Sequence, residues 1–502
     1  MNVGSLLINS AAKFPLKTAI ITSENRWTFQ AFEQRTIRLA NTLLATGLKK
    51  GDRVALLFFN GIHFAEVYFA TLLAGLVAVP VNFRFVGEEI VYVLNNAQAA
   101  ALFYGPEFEK TLLEIKTQLD SVRHFVSPGD KASALAVDYE TFLSGAESFA
   151  PLPEMDENDQ CQIMYTSGTT GRPKGAILTH GNVLWNMLNT IIGREDQGDE
   201  KAVIVGPLYH TAALNNHFTI QIALGGTSII VRKFEPESFL QTIESEKATI
   251  VSGAPALFNL LLQHPAAHKY DTSSITKCTA GSDTLSVALK ERLQNFFPNI
   301  QGIYDVYGCT EASPCITILN AKDSMRKHGS VGKPLPFLQA RVVDEESRPL
   351  AVGEVGELIC KGPNVMQGYH RNPEGTRAAI KNGWLYTGDL AKIDEEGFVY
   401  IVGRKKEMIV SGGENIYPRE LEEVLIRHPA IVDVAVIGVA DDNWGETVKA
   451  FVVLKKGQAI DEQGVIDFCK KHLASYKKPR AVAFLEDLPR NPSGKALKRL
   501  LK

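Results

Sequence analysis

The run Val54-Ala55-Leu56-Leu57-Phe58-Phe59 is apolar at every position. A half-solvated strand alternates apolar and polar residues, so an unbroken short run reads as a strand covered on both faces. Helical spacing flanks it. Phe32, Thr36, Leu39 and Leu43 share one helix face before it, with Gly47 as the stop, and a second helix is predicted over 64–73. The short strand Val77-Ala78-Val79 follows. Strand, helix, strand in that order requires a parallel sheet with crossover helices. The same rhythm returns at 202–205, 228–231 and 249–251. The expected class is α/β.

After about residue 340 the chain changes character. Glycines 353, 356, 362, 368, 375, 383, 388, 397 and 403 punctuate short strands such as Glu357-Leu358-Ile359-Cys360, which reads as a β-rich segment. The basic cluster Arg404-Lys405-Lys406 then precedes a compact α+β pattern: a helix opened by Pro418, strands over 434–439 and 448–454, and a helix over 465–473. At 502 residues the chain is too long for one core. The predicted division is 1–403, a large domain of parallel-type sheets flanked by helices with the β-rich subdomain, and 404–502, a small α+β domain.

Net charge is −3, which argues against a dedicated nucleic-acid binder. The six cysteines form no CxxC pair and no zinc spacing, so reduced thiols are expected. Residues 1–7 lack a basic leader and apolar stretch, and the first expectation is a cytoplasmic protein. The stretch 202–231 lacks Asp, Glu, Lys and Arg, but Pro207, His210, Asn215, Asn216, His217 and Gln221 make it too polar for a lipid-facing helix. The more apolar 67–83 carries Gly75 and Pro80 and reads as helix, turn and strand.

Chemistry concentrates in Tyr165-Thr166-Ser167-Gly168-Thr169-Thr170-Gly171-Arg172-Pro173-Lys174-Gly175: four Ser/Thr hydroxyls, three glycines and a lysine in eleven residues. Glycines let backbone N–H groups approach an anion, hydroxyls donate to phosphate oxygens, and the lysine adds a point charge. It is not a Walker loop, because Pro173 precedes Lys174 and no Ser or Thr follows it.

This segment resembles, position for position, the phosphate loop of the adenylate-forming superfamily: acyl- and aryl-CoA synthetases, luciferases and peptide-synthetase adenylation domains. Further motifs follow in the family's order over nearly the whole chain. The resemblance implies a large N-terminal domain, a small mobile C-terminal domain and a site between them. It implies ATP, Mg²⁺ and CoA, with a carboxylic acid converted to an acyl-adenylate and then to a thioester.

Carried over residue by residue, the resemblance assigns the phosphates to Thr166, Ser167, Gly168, Thr169, Thr170, Gly171 and Lys174, and the metal to Thr166 and Glu311. Tyr307-Gly308-Cys309-Thr310-Glu311 resembles the aromatic-Gly-x-Thr-Glu motif, with Tyr307 stacking on adenine beside Gly308 and Thr310. Asp305 is placed to accept from the adenine amino group. Gly281-Ser282-Asp283 resembles the loop on the other side of adenine, and a plain turn is the competing reading. In Tyr386-Thr387-Gly388-Asp389, Asp389 is implied to accept both ribose hydroxyls, with Arg404 adding a ribose or phosphate contact.

Lys406 occupies the hinge position, and Gly412 and Gly413 the loop that borders the pantetheine tunnel after rotation. Pro489-Arg490-Asn491-Pro492-Ser493-Gly494-Lys495 resembles the loop whose lysine stabilises charge as the carboxylate attacks the α-phosphate, so Lys495 is the adenylation catalyst. Pro207-Leu208-Tyr209-His210 resembles the segment whose histidine lies beside the acyl pocket and thiol tunnel; His180 and His217 have no such support. Trp444 matches a segment that faces CoA, and Lys477, Lys478 and Arg480 are either a CoA-phosphate patch or a solvated cluster.

The leading expectation is a stand-alone acid–CoA ligase that alternates domains. The rivals are a peptide-synthetase adenylation domain (disfavoured because the chain ends seven residues after Lys495), a luciferase-like oxygenase and a catalytically silent binder. The chain looks most like medium- and long-chain fatty acyl-CoA ligases, with aryl or alicyclic acids as runner-up, and a long-chain acid would bring peripheral membrane contact. Oligomeric state is left open. Small residues follow His210, and no Lys or Arg occurs in the pocket-like stretches, which disfavours dicarboxylates.

Overall fold

The computed structural model describes residues 2–129, 133–145, 151–166, 172–281, 285–411, 414–441, 444–490 and 496–501. Two compact units divide the chain: residues 1–340 with 360–385, and residues 341–359 with 386–502.

The first unit holds two large sheets. In the eight-stranded sheet, Arg53–Leu57 lies between Val77–Pro80 and Ala99–Tyr104, parallel to both. Val54 and Leu56 enter one apolar cluster while Ala55 and Leu57 enter another, all four without solvent exposure. Side chains alternate across a strand, so an unbroken apolar run fills the cores on both faces. The expectation for this strand holds. The helix before it, Phe29–Ala45, is capped by the Thr28 hydroxyl, which accepts from the Ala31 N–H at 3.1 Å. It buries Phe32, Thr36, Leu39 and Leu43, and Gly47 stops it at φ +87°.

The nine-stranded sheet has a parallel centre, with Ala202 registered on Ile250 on one side and Ser228 on the other. Lys277–Gly281 and Gly302–Gly308 continue that centre, and antiparallel strands close its edges. Alternation repeats here: Ala202 and Ile204 join one core, Val203 and Val205 another.

In the second unit, the Asp389–Ile393 part of the strand Trp384–Ile393 pairs antiparallel with Val399–Arg404. A further five-stranded sheet is built on the long antiparallel pair Ile431–Asp441 and Gly445–Leu454, with Ala481–Leu485 parallel beside it. The predicted strands are therefore cores of longer ones. Helices Pro418–Leu425 and Glu462–His472 lie where the sequence places them, and supply Leu421, Leu425, Val465 and Cys469 to its apolar cluster. The β-rich stretch also holds one short helix, Pro373–Ala379, capped by Asn372 through the Gly375 N–H at 2.8 Å. No helix among the described residues is long and apolar enough to cross a membrane.

Candidate active site

In the first unit, Gln160–Thr166 and Lys174–Thr179 form an antiparallel hairpin with Thr166 opposite Lys174. The Thr166 hydroxyl donates to the Lys174 carbonyl at 3.4 Å. Ser167, Gly168, Thr169, Thr170 and Gly171 lie outside the described residues. The loop's flanks are anchored to the helix Gly87–Ala97. Tyr165 donates to Asn96 Oδ1 at 2.6 Å, and Tyr92 donates to the Pro173 carbonyl at 3.0 Å.

Lys174 Nζ sits 5.2 Å from the centroid of the Tyr369 ring. The Tyr369 hydroxyl donates to Glu311 Oε1 at 2.6 Å, and burial, then the Glu311 charge, push the phenol upward. Tyr369 is held twice by its backbone: it registers on Ala176 across the sheet, and its N–H donates to Thr376 Oγ1 at 2.8 Å. Sequence reasoning missed Tyr369. The tyrosine in Gly368-Tyr369-His370 was visible, but nothing local shows that it meets Glu311.

Two parallel strand ends form the other side. Gly281 registers on Val306, so Gly281 and the segment from Tyr307 to Glu311 emerge at neighbouring carboxyl ends, where α/β sheets bind ligands. Ser282 and Asp283 lie outside the described residues. A Cβ at Gly308 would fall 1.8 Å from the Pro314 carbonyl oxygen, so only glycine fits. Thr310 and Glu311 lie in the short turn Thr310–Ala312, and the Glu311 carbonyl accepts from the Met366 N–H at 2.8 Å.

Asp305 has an occupation that the motif does not reveal. Its Oδ2 lies 2.5 Å from Lys290 Nζ, its Oδ1 accepts from the Leu285 N–H at 3.4 Å, and it is almost fully buried. Burial raises its pKa, opposed by Lys290. The carboxylate braces the strand Gly302–Gly308 against the helix Val287–Phe296.

His210 follows the strand Lys201–Ile204 in a turn secured by Asn60, which accepts from the Leu208 N–H at 2.9 Å and donates to the Gly206 carbonyl at 2.9 Å. His210 Nε2 is buried without a hydrogen-bond partner among the described residues, as is the Tyr209 hydroxyl. The two rings lie 4.3 Å apart, and Tyr209 meets Phe83 edge-on at 5.0 Å. Burial, then the charge of Arg84, lowers the His210 pKa to about 4. Arg84 comes from a loop far away in sequence, and it also lowers Tyr209 against the upward effect of burial. The stretches 211–214, 280–281 and 308 themselves carry no lysine or arginine, and the Arg84 charge acts on His210 from outside them. His217 and His180 serve the framework. His217 Nδ1 lies 3.2 Å from Arg194, and His180 Nδ1 accepts from the Val3 N–H at 3.1 Å.

In the second unit, Asp389 is buried opposite Arg404, with Arg404 Nε 2.6 Å from its Oδ1. The preceding turn is shaped by Gly388 at φ +71° and by Thr387, whose hydroxyl donates to the Leu358 carbonyl at 2.7 Å and accepts from the Asp389 N–H at 3.1 Å. Lys406 lies on the exposed turn Lys405–Glu407. Trp444 is 44% exposed, and the Arg480 guanidinium stands 4.5 Å from its ring centroid. Lys477 pairs with Glu420 at 2.7 Å. Gly412, Gly413 and Lys495 lie outside the described residues.

The donors suit a hard cation: a carboxylate at Glu311 and a hydroxyl at Thr166 are oxygen ligands. Among the described residues no group of three or more His, Cys, Asp and Glu is placed to hold a metal ion. Mg²⁺ in such a setting is held by one or two carboxylates together with nucleotide phosphates.

A glycine- and hydroxyl-rich hairpin beside parallel strand ends suits a nucleotide-using enzyme, and the chain belongs to the AMP-binding enzyme family. The match to AMP-binding enzyme covers residues 7–370, and that to AMP-binding enzyme C-terminal domain covers 420–495. The chain is 38% identical to the long-chain-fatty-acid–CoA ligase of Bacillus subtilis (strain 168) over 527 residues, covering 99% of this chain and 93% of the relative. It is 37% identical to a feruloyl-CoA synthase of an Amycolatopsis species over 497 residues, covering 99% and 97%. Its fold is similar to ATP-bound MatB from Rhodopseudomonas palustris, at a TM-score of 0.91 and 33% identity, covering 100% of this chain and 98% of that one. The protein is an AMP-forming acyl-CoA synthetase that uses ATP, Mg²⁺ and CoA.

Proposed function

We propose that the acid is a medium- to long-chain fatty acid, activated at the first unit's strand ends. The observation that carries this reading is the run of short side chains Thr211-Ala212-Ala213 after His210, which, with Gly281 and Gly308, leaves room for an extended apolar chain. A second reading, an aryl acid bearing a polar group, is favoured by the unpartnered Tyr209 hydroxyl and His210 Nε2 and by Arg84 nearby. Buried polar atoms are ordinarily paired, so two orphans together suit a ligand that supplies a partner.

In this reading the acid's carboxylate oxygen attacks the α-phosphorus and pyrophosphate leaves. Lys174 and the hydroxyls of its hairpin hold the phosphates, Asp389 and Arg404 the ribose, and Lys495 the charge that grows during attack. Thr166 and Glu311 would hold Mg²⁺, which neutralises phosphate charge when bound. The CoA thiol then attacks the acyl carbon and AMP leaves. For that step we take Lys406 as the pivot, with 1–403 and 404–502 as the two working bodies and Gly412, Gly413 and Trp444 along the CoA path. His210, neutral at pH 7, accepts or donates a hydrogen bond; a group with a pKa near 4 is a poor general base there. A long-chain acid would be drawn from a membrane surface.

A panel of fatty, aryl and alicyclic acids, scored for CoA-dependent AMP release, tests the substrate. Fatty acids of eight or more carbons should lead. Preference for hydroxylated or methoxylated aryl acids would replace the first reading with the second.

A further inference from the structure

The chain from Leu214 to Phe218, just after His210, is a π-helical turn. Such widened turns insert a residue into a helix and frequently mark functional sites. Here the turn buries two adjacent asparagines, Asn215 and Asn216, which reach different partners. Asn216 Oδ1 accepts from Asn186 Nδ2 at 2.8 Å and from the Thr190 hydroxyl at 3.3 Å. Asn215 does something else. Its Oδ1 accepts from Gln162 Nε2 at 3.0 Å, and its Nδ2 donates to Gln162 Oε1 at 3.2 Å and to the Ser313 carbonyl at 3.3 Å. The remaining Gln162 N–H meets the Tyr68 hydroxyl. Asn215, Gln162, Ser313 and Tyr68 have no solvent exposure.

These contacts join three segments that are distant in sequence. Gln162 lies four residues before Thr166, on the strand entering the phosphate-loop hairpin. Ser313 lies two residues after Glu311, with a left-handed backbone at φ +73° that serine rarely adopts unaided. Asn215 lies five residues after His210. Two more asparagines fasten the same turn: Asn364 Nδ2 donates to the Ala312 and Cys315 carbonyls at 2.8 and 2.9 Å, and Asn186 Oδ1 accepts from the Cys315 N–H at 2.9 Å. Of these three, Asn215 also grips the hairpin strand.

We propose that Asn215 is a positioning residue for acyl-adenylate formation: paired with Gln162, it holds the His210 turn, the phosphate-loop strand and the Glu311 turn in one register. The reciprocal amide pair has two bonds of fixed direction, so it specifies distance and orientation in a way that apolar packing does not. This inference rests on the reading that Thr166, Glu311 and His210 serve one reaction.

The test uses the full chain and three measurements: thermal midpoint, acid-dependent ATP–pyrophosphate exchange, and thioester formation from supplied acyl-adenylate. Asn215→Leu strands the Gln162 amide, whereas the pair Gln162→Met with Asn215→Leu removes both amides and lets apolar groups pack. The expected result is that the double variant regains thermal stability over the single one, yet its exchange kcat stays about 10- to 100-fold low and its thioester step within about threefold of the parent. Should the leucine variants fold poorly, Asn215→Ser, which shortens the reach and keeps the site polar, should show the same split between the two half-reactions. Exchange that recovers together with stability, or half-reactions that fall equally, overturns the proposal and leaves Asn215 a purely structural residue. Glu311→Gln is run alongside. If it too leaves exchange unchanged, the site reading itself fails and this inference with it; if only the asparagine variants retain exchange, the inference fails alone.

Discussion

Arg404 Nε and Asp389 Oδ1 are 2.6 Å apart across an antiparallel strand pair, with the carboxylate almost wholly buried. The resemblance gives both residues to the nucleotide, yet each is also the other's partner. The pair holds the carboxylate in place, which suits an acceptor for two vicinal hydroxyls.

Ribose persists in the acyl-adenylate, so if Asp389 holds it as proposed, its loss should hurt both half-reactions. Asp389→Asn is expected to lower kcat/KM for ATP by about 100-fold, comparable to other losses of a buried polar contact to substrate. Thioester formation from supplied acyl-adenylate should weaken as well. A normal second half-reaction would remove Asp389 from the ribose.

Tyr369→Phe removes the donor to Glu311 Oε1 while leaving the ring beside Lys174. Partners of a ligating carboxylate commonly contribute about 10- to 100-fold to metal affinity or activity. Titrating Mg²⁺ in ATP–pyrophosphate exchange should show the half-maximal concentration displaced upward by about tenfold. An unshifted titration would mean that Tyr369 braces the sheet edge and nothing more.

Lys495→Ala should reduce adenylation by about 100-fold or more while sparing thioester formation from supplied adenylate. Lys406→Pro has the opposite profile, because proline fixes φ at the pivot and should impair CoA transfer more than adenylation. Single-turnover measurement of each half-reaction separates them. Equal losses in both variants would sink the alternation scheme.

His180, His210 and His217 make stability pH-dependent. Burial holds His180 and His210 at about 4 and His217 at about 3. Their folded forms stay neutral where the unfolded chain, near 6.5, takes up protons. Their contribution is therefore complete above about pH 6.5 and is lost as pH falls toward 4, each adding a slope of about 1.4 kcal/mol per pH unit. Denaturant titrations between pH 7 and 5 should show this decline, and His180→Gln should remove one histidine's share of it. An unchanged slope in that variant would show that His180 is protonated in the folded state.

Particular residues show why some of this was legible early. Val54 to Leu57 announce a strand covered on both faces, because burial of alternate side chains in two cores leaves no room for a polar residue. Thr166 to Lys174 carry the family motif legibly because their chemistry is contiguous along the chain. The motif at Glu311 is legible for the same reason. Asn215 and Asn216 appeared only as polarity that ruled out a membrane helix.

Tyr369 on Glu311, Lys290 on Asp305, Arg84 near His210, and Asn215 between Gln162 and Ser313 were set by tertiary structure alone. Each depends on distances between segments brought together by sheet order and helix crossover, and local pattern carries no record of those distances. Periodicity and contiguous motifs determine which strands form, which reaction class is served and which residues are presented to it. Close packing of the assembled sheets then decides which buried polar group finds which partner, because desolvation penalises every one left unpaired.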